Sequence, residues 1–129
     1  MAHGIFVTAI NCMDGRTQLP VNEYLRNKYG ADYVDTVTEP GPIKILAERT
    51  YLTQIDSIKK RVLISVEKHG SGRIAVVGHH DCAGNPVDQQ TQLKQIAAAV
   101  KLIREWGLGV EVIGLWVDEN WMVNEVNPR

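Results

Sequence analysis

The chain has 129 residues, 44% of them hydrophobic and 22% charged, with a net charge of −1, a size and balance that fit one soluble domain over residues 1–129 with a core of its own. The near-neutral charge offers no footprint for nucleic acid or an anionic membrane. No apolar run approaches the roughly 20 residues of a membrane span, and no basic flank leads into a long apolar segment as in a secretory signal. Two cysteines are too few for a disulfide framework, so we expect a reducing compartment, the cytoplasm, and metal or thiol chemistry.

In chain order, Ile5-Phe-Val-Thr-Ala-Ile10 is a short apolar run that predicts a buried first strand, over about residues 4 to 11. Pro20 suits the first turn of a short helix through Tyr24, Leu25 and Tyr29, with Gly30 as its stop. Asp32-Tyr-Val-Asp-Thr-Val-Thr38 is rich in β-branched residues and predicts a second strand, and Glu39-Pro-Gly-Pro42 should break regular structure. Leu52, Ile55, Ile58, Val62 and Val66 make a helical stripe that runs up to Gly70. Arg73-Ile-Ala-Val-Val77 predicts a third strand carrying the chain to His79. Leu93, Ile96, Ala97, Val100 and Ile103 share one face of a further helix that stops at Gly107, and Val110 to Trp116 is the last good strand. The order β-α-β-α-β-α-β predicts an α/β fold: a mostly parallel sheet of four or more strands with helices on both faces. If the first and third strands are neighbours and the second lies outside the first, their carboxyl ends frame a topological switch point, where ligands collect in open α/β sheets.

Both cysteines lie at those ends. Cys12-Met-Asp14-Gly-Arg16 follows the first strand, and His79-His-Asp-Cys82 follows the third. Cys12, His79 and Cys82 are zinc-type donors, and three protein ligands leave the fourth tetrahedral position free, the pattern of a catalytic zinc. A zinc ion there, one per chain, would hold two thiolates and a neutral imidazole and lower the pKa of a bound water toward roughly 7. Two thiolates carry more negative charge than two imidazoles, so that water should ionise less readily than at an all-histidine site. Asp14 can accept a hydrogen bond from it, and Arg16 can keep Asp14 ionised. His80 and Asp81 are candidates for support around the metal, and His80 for carrying protons. His69 most simply serves a helix end, and Trp106, Trp116 and Trp121 pack a sheet edge or an interface. A phosphatase loop would need an Arg six residues after its cysteine, where Gln18 stands, and no Gly-x-Gly-x-x-Gly follows the first strand.

Cys-x-Asp-x-Arg after one strand and Gly-His-x-x-Cys after a later one resemble the β-class carbonic anhydrases, and the likeness extends from about Ile5 to Val126. The resemblance implies that Cys12, His79 and Cys82 bind zinc and that Asp14 and Arg16 form a catalytic dyad. It implies reversible hydration of carbon dioxide to bicarbonate by zinc-bound hydroxide, in a homodimer or a multiple of dimers. Related folds act on carbonyl sulfide or carbon disulfide, and a noncatalytic zinc-binding or regulatory module is the third possibility, with Asp14 filling the open position. Several positions depart from the family pattern. Glu39-Pro-Gly-Pro42 replaces the common Arg-Asn-Ala-Gly, Ala83 replaces a Gly, and His80 stands where Ser is common. A pocket Gln before the first strand and a helical N-terminal arm have no counterpart in the four residues before it.

Overall fold

The computed structural model describes residues 3–126. Five strands form one sheet in the order β2-β1-β3-β4-β5. They are β1 (Phe6–Cys12), β2 (Tyr33–Glu39), β3 (Arg73–His79), β4 (Glu111–Val117) and β5 (Val123–Val126), and the helices are α1 (Gly15–Tyr29), α2 (Pro42–Glu48), α3 (Leu52–Leu63) and α4 (Gln89–Glu105). The first four strands are parallel and β5 returns antiparallel along β4. The α/β expectation and the adjacency of the first and third strands are therefore borne out.

The chain moves outward from β1 to β2, then crosses back over β1 to β3 and continues in the opposite direction to β4. Right-handed crossovers put helices from oppositely directed halves on opposite faces. Strand alternation serves both faces. Ile10, Ile74, Val76, Val112 and Trp116 pack with Ile43, Leu46, Ile58, Val62, Ile96, Val100 and Ile103 from α2, α3 and α4. Val7, Ala9, Ala75, Val77, Ile113, Leu115 and Val117 pack with Val21 and Leu25 of α1. Gly114 lies opposite Val76 in the ladder, and α4 approaches closely there: a methyl group at Gly114 would strike Ile96 Cγ2. Gly114→Ala is expected to cost about 1–3 kcal/mol through overpacking, read as a lower midpoint in urea unfolding; an unchanged midpoint would mean that α4 yields without cost.

Three local expectations need correction, and β5 adds a strand that no pattern announces. Pro20 lies inside α1 rather than at its start. Asp14 opens that helix five residues earlier by accepting the Arg16 N–H at 2.9 Å, and the Thr17 hydroxyl, donating to the Asp14 carbonyl at 2.8 Å, braces the first turn. The Glu39–Pro42 segment does not break structure throughout: Glu39 ends β2 and Pro42 opens α2, where a missing N–H costs nothing. In the stripe toward Gly70, Leu52 is exposed, and the α-helix gives way to a π turn over Ile64–Lys68. β5 carries no strong pattern and is held by pairing with β4 and by the Glu125 carboxylate, which accepts from Lys28 at 2.6 Å and from the Tyr29 hydroxyl.

Candidate metal centre

β1 pairs with β2 as far as Cys12 opposite Glu39, and β3 with β4 as far as His79 opposite Val117. Between β1 and β3 the ladder covers only Thr8–Ile10 against Ile74–Val76. The two central strands part where the candidate ligands begin. Into that gap project the donor atoms of Cys12, His79 and Cys82, all buried and all within 4.8 Å of one another. The two sulfurs are 3.8 Å apart.

Each donor is fixed by its surroundings. His79 Nδ1 donates to the His80 carbonyl at 2.7 Å, which leaves Nε2 with its lone pair. That Nε2 is buried and has no hydrogen-bond partner, an arrangement that costs stability unless something takes the lone pair. Gln92, 2% exposed, holds the His79 backbone on both sides: its Oε1 accepts the N–H at 3.1 Å and its Nε2 donates to the carbonyl at 2.8 Å. Cys12 is anchored through its carbonyl, which accepts from Gln18 at 2.7 Å. The loop after β2 closes over the cysteines. A methyl group on Gly41, whose φ is +63°, would stand 2.8 Å from Asn85 Cβ, and one on Gly84 would stand 2.7 Å from the Pro40 carbonyl carbon. The Asn85 N–H donates to the Cys82 carbonyl at 3.2 Å, and the Gly41 N–H favours the Cys12 thiolate as the Gly84 N–H favours that of Cys82.

The electrostatics separate the two thiols. The Cys82 thiol donates to Cys12, and with His79 and the Gly41 and Asp14 N–H groups it outweighs burial and holds the Cys12 thiol down at about 4. Cys82 is pushed well above the ordinary thiol range by its bond to Cys12 and by burial. Burial alone would lower His79, but the Cys12 thiolate beside it and the His80 carbonyl raise it overall. A buried thiolate, a thiol and an imidazole whose Nε2 has no other partner are a donor set that fits a soft or borderline dication such as zinc. Binding must then expel the Cys82 proton and whatever proton His79 carries, while Cys12 has none to lose. Zinc loading is expected to release between one and two protons per site at pH 7, so affinity should rise with pH. Calorimetric titration in buffers of differing ionisation enthalpy measures this; zero release would contradict the pairing of the thiols.

Asp14 and Arg16 meet beside the cluster. Arg16 Nε donates to Asp14 Oδ1 at 3.0 Å and Nη2 to Oδ2 at 2.7 Å, and this guanidinium, with the Arg16 backbone N–H, holds the Asp14 carboxyl down at about 2. Asp14 is not among the residues whose donor atoms cluster. Arg16 also bonds Asp81 and lies 4.5 Å from the ring centre of Trp121. His80 is exposed and edge-on to Trp121, with ring centres 6.5 Å apart. A cleft of about 450 Å³ runs along the Cys82 side, lined by His80, Asp81, Gln92 and Trp116 among others. Glu39 turns from the cluster to pair with Arg61 of α3, so the acidic substitution in this loop brings no free charge to the site. His69 does close the helical turn, its backbone N–H donating to the Ser65 carbonyl, while its side chain does something else: Nδ1 bonds Asp35 Oδ2 at 2.7 Å, in a polar group with Ser65. Of the tryptophans, Trp116 is buried in the core, Trp106 is half-buried against it, and Trp121 covers Arg16. Sequence reasoning missed Gln92 altogether and the place of Trp121 over Arg16. Gln92 had a signal, a polar side chain one turn before Ile96 on the apolar face of α4; Trp121 had none.

An open, mostly parallel α/β sheet with a two-cysteine, one-histidine cluster at its switch point and a carboxylate–guanidinium pair alongside defines a class of candidate metalloenzymes. Within that class the chain belongs to the family described as "Putative carbonic anhydrase", whose model matches residues 2–127. Its fold is similar to that of a carbonic anhydrase from Glaciozyma antarctica, at 14% identity, a TM-score of 0.64, and coverage of 98% of this chain and 85% of that one. One of two tetrameric β-carbonic anhydrases from Sordaria macrospora matches at 15% identity and a TM-score of 0.61, over 98% of this chain and 82% of that one. The β-carbonic anhydrase CafA of Aspergillus fumigatus matches at 14% identity and 0.54, over 99% and 77%. No curated protein matches the chain by sequence. Among the described residues, no helix is long and apolar enough to cross a membrane.

Proposed function

We propose that this protein is a zinc enzyme that interconverts carbon dioxide and bicarbonate, with Cys12, His79 and Cys82 as the ligands and Asp14 and Arg16 as the groups that orient the reacting water. The observation that carries the reading is the buried His79 Nε2, partnerless and facing two cysteines, one of them held as a thiolate. Bound zinc would supply a water acidified toward neutral pH as the nucleophile. The chain's own groups do the rest. His79 Nδ1, committed to the His80 carbonyl, keeps Nε2 a donor of electrons rather than of a proton. Asp14 Oδ1 takes both the Arg16 N–H and Nε, whereas Oδ2 takes only Nη2. Oδ2 therefore keeps a lone pair with which to accept a hydrogen bond from the reacting water and orient it toward the substrate carbon. Arg16 keeps that carboxylate ionised at every working pH. Assembly as a homodimer or a multiple of dimers, in the cytoplasm, is part of the same proposal; the tetrameric fold relatives support the assembly.

The deciding experiment is stopped-flow carbon dioxide hydration at alkaline pH with one zinc per chain confirmed. Hydration well above the buffer rate is expected. No rate above buffer despite full zinc would reject the proposal, and a parallel assay with carbonyl sulfide would show whether the site serves another small electrophile.

A further inference from the structure

Cys12 and Cys82 are 70 residues apart in the chain, yet their sulfurs stand 3.8 Å apart, one donating to the other. Both thiols are free. A disulfide holds its sulfurs at about 2.0 Å, so the gap left to close is about 1.8 Å, shared between two side chains. The backbone behind each sulfur is held in place. The Cys12 N–H donates to Asn11 Oδ1 at 2.8 Å, and its carbonyl accepts from Gln18 at 2.7 Å. The Cys82 carbonyl accepts the Asn85 N–H at 3.2 Å, and Gly84 packs against Pro40 too closely to admit a side chain. The fold therefore keeps the two sulfurs facing each other. Access is narrow: Cys12 is 3% exposed and Cys82 5%, and the cleft that Cys82 lines approaches the pair from one side.

We propose that Cys12 and Cys82 are a redox modification site: in the metal-free protein a peroxide joins them in a reversible disulfide, which leaves no thiolate for zinc. The bond follows from the contact between the sulfurs; only the exclusion of zinc rests on the proposed function. Two steps balance the reaction. The Cys12 sulfur, which accepts the Cys82 S–H, attacks one peroxide oxygen; the O–O bond breaks, hydroxide leaves and Cys12 becomes a sulfenic acid. The Cys82 sulfur then attacks the Cys12 sulfur, and its S–H proton leaves with the displaced oxygen as water. Two thiols are oxidised and one peroxide is reduced. Burial selects the oxidant. A peroxide is little larger than water and fits the approach to the pair, whereas a disulfide such as oxidised glutathione must bring its own sulfur to a thiol that is almost wholly covered. A cysteine pair that closes without metal is a form of disulfide found in reducing compartments, where such bonds sense oxidants rather than hold a fold.

The test treats the full chain, reduced and metal-free, with hydrogen peroxide, and with oxidised glutathione as the bulky control. Peroxide should remove two hydrogen atoms from the intact mass of the monomer and take the count of reactive thiols from two to none. Dithiothreitol should restore both, and oxidised glutathione should leave both thiols in place. The cross-link closes a long loop between the end of β1 and the segment after β3, so the oxidised chain should unfold at a higher urea midpoint than the reduced one. Cys12→Ser and Cys82→Ser each leave one sulfur without a partner. In Cys82→Ser the oxidation should stop at a sulfenic acid that dimedone traps, with no disulfide. A metal-free parent that keeps both thiols, or that collects dimedone as Cys82→Ser does, would overturn the inference. Equal reaction with oxidised glutathione would overturn the selection of peroxide. The metal is tested separately. One zinc per chain should slow disulfide formation about tenfold or more, because only the metal-free fraction reacts, and His79→Ala should form the bond while losing most of that protection. An unprotected zinc-loaded parent would reject the metal reading and leave the disulfide to stand on the metal-free result.

Discussion

His79→Ala is expected to lower zinc affinity by roughly two to three orders of magnitude. Structural zinc sites with four protein ligands bind the ion with about 10–16 kcal/mol in all, or about 3–4 kcal/mol per ligand, roughly 10²–10³ in affinity. The substitution leaves Cys12 and Cys82 as a two-sulfur site still braced by the Gly41, Gly84 and Asn85 N–H groups. The metal-free fold should survive, because the β3 backbone keeps its pairing with β4 and the Gln92 amide can still hold the backbone at position 79. Competition with a chromophoric chelator measures the affinity, and circular dichroism checks the fold. An affinity unchanged within threefold would mean that zinc binds elsewhere, and the candidate centre would have to be abandoned.

The residues of this centre were open to sequence reasoning for a reason that does not extend to everything around them. Cys12, His79 and Cys82 sit at or just after the ends of strands that a run of β-branched and apolar residues announces, and parallel strands bring their carboxyl ends to one edge. Spacing plus topology was therefore enough. The two-proline stretch around Gly41 misled because a proline reads as a breaker, whereas at the first position of a helix it starts one. Pro20 misled in the opposite sense: it suits a helix start, but the side chain of Asp14, acting from outside the helix, opens it earlier. β5 is four residues long and half-buried; its place depends on pairing with β4 and on a Lys28–Tyr29–Glu125 contact across nearly the whole chain, which no local pattern encodes. Trp121 is the plainest case. Its position over Arg16 follows from a turn held by Asp118 and from a backbone conformation that its residue type disfavours. Local propensity points the other way there, and such conflicts collect where a fold serves a site.

Asp14→Asn should retain zinc and the fold while lowering the hydration turnover roughly 100-fold, about the cost of removing one preorganised hydrogen-bonding group from the reacting water. The choice of asparagine separates two roles that alanine would confound. Asp14 caps α1 through the Arg16 N–H, and asparagine caps helices as well as aspartate does, whereas alanine would cost about 1 kcal/mol. What asparagine lacks is the charge and the second accepting oxygen, so it cannot hold Arg16 Nε and Nη2 and accept the water's hydrogen bond at once. The acidity of Asp14 sets the conditions. Held down at about 2 by Arg16, the carboxylate is ionised wherever zinc remains bound, so the effect of the substitution should be level across the alkaline range. Its contribution to stability carries the sign of a depressed acid: present above the ordinary aspartate range, and lost only as pH falls toward about 2. Between pH 6 and 9 the thermal midpoints of the parent and Asp14→Asn should therefore stay at a constant offset, while their turnover numbers differ by two orders of magnitude. A variant that kept full turnover would remove Asp14 from the chemistry and leave it a helix cap. Loss of turnover together with loss of zinc would instead make it a support of the metal cluster.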